Sequence, residues 1–165
     1  MDLSAIINSV QDALNLSPIT CRPTSEDKRK FQETLRNILS KNLFSVQTCE
    51  IEFSLSRIMD EVFDGYEDKC DVFVETKHCI VIVELDATRA DQVAKKMLSR
   101  YFYAEKQPKP TIYVCLLYPG TKNMNVNECI KYMNMGKDIL LNMNSSNRFI
   151  GGLIDGNKLD WKYIG

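Results

Sequence analysis

Three carboxylates carry the chemical interest of this sequence. Asp71 opens the run Asp71–Thr76, and Glu84 and Asp86 close the run Cys79–Asp86; both runs are rich in β-branched residues. A short gap holding Lys77 and His78 separates them, which predicts a hairpin. With a loop of two or four residues, paired positions sum to 155, and Asp71 faces Glu84 at about 4.5–5.5 Å between Cβ atoms. Asp86 projects to the same face two residues further on, because side chains alternate along a strand. The same register sets Lys69 opposite Asp86, whereas an odd loop length would break it.

Three acids so close repel one another, by about 4 kcal/mol per close pair at an effective dielectric of 20. A divalent metal, a lysine, or protonation of one acid must offset that. Oxygen donors without histidine or cysteine suit magnesium, manganese or calcium. The bland alternative is a strand end whose acids are solvated or paired with a base such as Lys69. Zinc is not expected: the six cysteines form no C-x-x-C pair and His78 is the single histidine. Reduced, mostly buried thiols in a cytoplasmic protein are the expectation.

The elements that must position these acids follow from periodicity. Leu3, Ile6, Ile7, Val10, Ala13 and Leu14 predict a helix capped by Asp2. A second helix, about Glu26–Lys41, carries the stripe Phe31, Leu35, Ile38, Leu39 beside the basic residues Lys28, Arg29, Lys30, Arg36 and Lys41. Residues 46–55 alternate as a half-exposed strand. Ile58, Met59, Val62 and Phe63 fit a short helix or a strand continuation, before an acidic turn at 64–68. After the hairpin a helix is expected from a Thr88 cap to about Glu105, stopped by Pro108 and Pro110. Thr111–Tyr118 reads as a strand buried on both faces. A helix over 125–143 and a final hairpin, Phe149–Ile154 and Leu159–Ile164, complete the order. That order predicts an α/β (α+β sandwich) fold, a central mixed sheet flanked by helices.

At 165 residues and 19.0 kDa the chain has the size of one domain, 1–165. A 44% hydrophobic and 26% charged composition excludes intrinsic disorder, and a net charge of -1 excludes a generally basic nucleic-acid coat. The apolar run Cys79–Val83 is far below the roughly 20 residues of a membrane span. The N-terminus lacks the features of an export signal, so a cytoplasmic location is expected.

An acid opening one strand, a hairpin, an acid-rich signature closing the next, and then a helix resembles the PD-(D/E)XK, or restriction-endonuclease-like, nuclease superfamily. The resemblance rests on Cys70-Asp71 and Glu84-Leu85-Asp86, with the helix from Thr88, and on the α-β-β-β-α-β order across about 26–118. It leaves 125–164 as an added helix and hairpin. It implies a magnesium- or manganese-dependent endonuclease acting on DNA or RNA, in restriction, repair or phage defence. Asp71, Glu84 and Asp86 would be the metal ligands. A homodimer or a separate specificity subunit would supply target recognition. Two positions depart from the family pattern. Cys70 stands for the proline, and Asp86 stands where the catalytic lysine belongs. A second metal could replace that lysine, or Lys95 or Lys96 of the following helix could supply it, with Gln92 orienting water or phosphate. The remaining option is a catalytically inactive interaction or regulatory module. Glu33, in the preceding helix, is a candidate fourth acid.

Arg89, Lys96 and Arg100 lie roughly along one side of the helix that follows the motif, and form the expected phosphate-facing edge. The alternative is a solvated face balanced by Asp91 and Glu105. Of Tyr101, Phe102 and Tyr103, at least two are expected in the core rather than stacking on bases. Gly151-Gly152 reads as a bulge.

Overall fold

The computed structural model describes residues 3–55, 68–120 and 126–165. The Asp2 cap, the apolar segment 58–63 and most of the acidic turn lie outside the described residues. Helix α1 (Leu3–Leu16) buries Ile6, Val10, Ala13 and Leu14. Helix α2 (Ser25–Asn42) starts at a reciprocal cap. The Thr24 hydroxyl accepts from Asp27 N at 3.1 Å, and the Asp27 carboxylate accepts from Thr24 N at 2.9 Å. Its buried stripe is Phe31, Gln32, Leu35 and Leu39.

Six strands form one mixed sheet in the order β1 (Val46–Ser54), β2 (Lys69–Thr76), β3 (Ile80–Ala87), β4 (Thr111–Tyr118), β5 (Arg148–Asp155) and β6 (Lys158–Ile164). β1–β2, β2–β3 and β5–β6 are antiparallel, while β3–β4 and β4–β5 are parallel. The parallel pairs are joined through α3 (Ala90–Glu105) and α4 (Val126–Met143). This is the expected α/β class. Helices α1 and α2 cover one face, packing on Val72, Val74, Val81, Val83, Val114 and Leu116. Helices α3 and α4 cover the other, against Phe73, Ile82, Tyr113, Cys115 and Leu117.

Three local expectations can be compared with the structure. Thr88 does not cap α3: Arg89 is the cap residue, and the Thr88 hydroxyl accepts instead from Gly120 N at 3.3 Å. Tyr101 and Tyr103 are buried, as expected. The β5–β6 register shifts between Gly151 and Gly152, where Trp161 and Leu159 pack so closely that a Cβ on Gly152 would collide.

Candidate functional site

The hairpin register holds. Val72 pairs Val83, Phe73 pairs Ile82, and Val74 pairs Val81, each summing to 155. The ladder stops one pair short of the acids, however. Beyond Val72 and Val83 the strands part: β2 continues against β1 (Phe53↔Cys70), and β3 continues against β4 (Glu84↔Cys115). Asp71 and Glu84 therefore sit at a fork rather than on a continuous ladder, and their carboxylates take different partners.

A fork leaves backbone groups without ladder partners, and here side chains supply them. Asp71 Oδ2 accepts from Leu85 N at 2.7 Å. Arg100 Nη2 donates to the Lys69 carbonyl at 2.9 Å. The other Asp71 oxygen accepts from Gln32 Nε2 of α2 at 2.6 Å, and the same amide nitrogen donates to Glu52 Oε1 at 2.9 Å. Glu52 has a positive φ of 49°, uncommon outside glycine, and face alternation slips at this point. Ile51 and Val72 pack toward α2, whereas Phe53 and Cys70 pack toward α3.

On the α3 side, Glu84 is fully buried. Its Oε2 accepts from Lys96 Nζ at 2.8 Å, and its Oε1 from Arg100 Nε at 2.6 Å. The same ammonium reaches Asp86, whose oxygens lie 3.0 and 2.9 Å away. Arg100 Nη1 also donates to Asp68 at 2.5 Å. Lys96 and Asp86 keep 24% and 21% side-chain exposure, so solvent reaches the cluster through them.

Burial pushes the Glu84 carboxyl up to about 8 against the pull of Arg100, with Asp71 adding to the rise. Burial also raises Asp71, opposed by the Lys96 charge and the Leu85 amide. Burial works against the charge on Lys96 too, but Glu84, Asp86 and Asp71 outweigh it and hold the ammonium protonated. Burial raises the thiols of Cys70 and Cys115 well above their usual range, so neither is a ready nucleophile.

The donor set is all oxygen, which suits magnesium or manganese. As arranged it does not form an ion site: among the described residues no three His, Cys, Asp or Glu side chains could hold a metal. Among the described residues the cations within the cluster are the Lys96 ammonium and the Arg100 guanidinium.

The structure thus brings together Asp71, Glu84, Asp86 and Lys96. Gln92 turns to Asp91 on the surface, 2.9 Å away, and Lys95 is exposed. Arg100 cannot serve the phosphate-facing edge. It falls in register with Val93 and Met97 on the inner stripe, and it is 1% exposed in its ion pairs. Arg89 is exposed and pairs Asp91 at 3.0 Å. Glu33 points to solvent and pairs Arg29, while its neighbour Gln32 reaches the acids. The sequence reading missed Gln32, although a polar residue one turn before Leu35 on the buried stripe was its signal.

No family model matches the chain, and no curated protein matches it. Among solved structures it is similar to Pyrococcus furiosus SfsA in complex with Ca2+, at 11% identity and a TM-score of 0.39. The match covers 84% of this chain and spans 61% of the length of that one. A likeness at that level carries no argument for function. Among the described residues no helix is long and apolar enough to cross a membrane.

Proposed function

We propose that this chain is a nuclease-like phosphodiesterase acting on nucleic acid, DNA first, whose lysine has moved from the strand to the helix. The delivery of Lys96 Nζ from α3 to both Glu84 and Asp86 supports the reading, because it supplies the cation that the strand signature lacks. Lys96 is the group that neutralises a phosphate oxygen, and Asp86 beside it accepts a proton or orients water. Gln32 fixes Asp71 in its rotamer. Magnesium or manganese dependence requires Asp71, Glu84 and Asp86 to regroup around an ion in place of the ammonium.

One observation favours a second reading, a non-catalytic module of the same fold. Both Glu84 oxygens are engaged by cations, the half-buried Lys96 and the fully buried Arg100, as in a structural ion-pair network. Plasmid, single-stranded DNA and RNA incubated with magnesium, manganese or a chelator separate the two. Cleavage by the native chain with a metal, slowed about 100-fold or more by Lys96→Met and by Asp71→Asn, is the expected result. A native chain inert on all three substrates with both metals would leave the module as the account.

A further inference from the structure

The Asp71 side of the fork opens into a cleft of about 550 Å³ lined by Ser25, Lys28, Arg29, Gln32, Ile51, Glu52 and Asp71. Its chemistry is layered. Two carboxylates bridged by the Gln32 amide lie against the strands, and two cations of the first turns of α2 stand on its wall. Among the described residues Arg29 is held by Glu33, an i,i+4 pair with both side chains well exposed, and such exposed pairs are weak. A phosphate oxygen can take that guanidinium at little cost. The two α3 cations that reach the acids differ: Arg100 is sealed in the core and Lys96 is engaged by two acids.

We propose that the backbone phosphates of a nucleic-acid strand enter along α2, contacted by Lys28 and Arg29 of this cleft, and not along α3. The proposal rests on the nucleic-acid reading given above, and it assigns the face by which the strand reaches the acids. Lys28 and Arg29 neutralise phosphates beside the one presented to Asp71. The acids between them keep the cleft from being a general anion trap.

Binding is measured by fluorescence anisotropy of end-labelled single-stranded and duplex oligonucleotides, with chelator present so that nothing is cut, across 50 to 200 mM salt. The double variant Lys28→Ala/Arg29→Ala is compared with Arg89→Ala, the exposed cation of the α3 edge. The expected result is at least a tenfold loss for the α2 variant. The slope of log K against log salt should also flatten by about 1.8 for two phosphates on a duplex. Arg89→Ala should stay within twofold of native. Unchanged binding in the α2 variant, an equal loss in Arg89→Ala, or no binding by native protein would each overturn the proposal. Circular dichroism melts confirm that the variants fold. Cleavage is scored separately. Native protein that binds through α2 but never cuts keeps this inference and loses the phosphodiesterase. Native protein that cuts while the α2 variant binds normally does the reverse.

Discussion

Helices α2 and α3 flank the same fork, and both are rich in cations, yet they place them oppositely. On α3, Arg100 shares the inward stripe of Val93, Met97 and Tyr101, so packing the helix carries its guanidinium into the core. There it meets Glu84 and Asp68, without which its burial would be prohibitive. On α2 the inward polar position is the neutral Gln32, and Lys28 and Arg29 line the cleft. Helical position relative to the apolar stripe, more than residue type, decides whether a cation belongs to the fold or remains available to a ligand.

The contrast breaks first at Arg100. Replacing it with Met takes the guanidinium away from buried Glu84, from Asp68 and from the Lys69 carbonyl at once, and the expected loss is about 3–5 kcal/mol in urea unfolding. A loss below about 1 kcal/mol would put Arg100 on the same footing as a surface cation.

The pH profile comes next. The unfolded Glu84 carboxyl loses its proton near 4.5, whereas the folded one keeps it up to about 8. The folded state therefore binds the extra proton between those values, and stability falls as pH climbs through that window. Between pH 5 and pH 8 the native chain should lose about 1–3 kcal/mol relative to Glu84→Gln, which has no such proton to lose. Parallel urea titrations at the two pH values, giving equal changes, would refute this.

Lys96 tests whether the resident ammonium and a metal compete. Lys96→Met should bind manganese about tenfold more tightly than native protein, a difference of about 1.4 kcal/mol. Calorimetry showing no gain would mean that the acids cannot regroup around an ion.

The smallest effect is expected on the rim. Lys28→Ala/Arg29→Ala should leave unfolding free energy within about 0.5 kcal/mol of native, since exposed positions rarely matter more. A larger loss would show that α2 also uses its cations to hold the fold.

Much of this arrangement was legible in the sequence. Alternation and turn signals located the strands to within a residue or two, and the hairpin register of Val72 with Val83 was correct. The fork was not legible, because strand separation depends on what fills the gap, and those groups come from α2 and α3, distant in sequence. Lys96 was among the named candidates because the family resemblance allows the lysine to come from the helix after the signature. The choice between Lys95 and Lys96 needed the helix rotation. Arg100 was misassigned because charge was read ahead of the stripe it shares with Val93 and Met97. Gln32 lost out to Glu33 for the same reason: a charged neighbour drew notice from a neutral residue that sat on the buried face.

The fork also bears on how such a site ages. Asp71 satisfies the amide of Leu85, and Glu84 holds the guanidinium that satisfies the carbonyl of Lys69. These two acids are thus part of the scaffold, apart from any chemistry proposed for them. A descendant that abandoned catalysis would still be penalised for losing them, since each loss orphans a buried polar group. Lys96 and Asp86, nearer solvent, carry less of that burden and would drift first. In sequences related to this one, the strand acids would outlast the proposed activity, and the helix lysine would be the better marker of whether it survives.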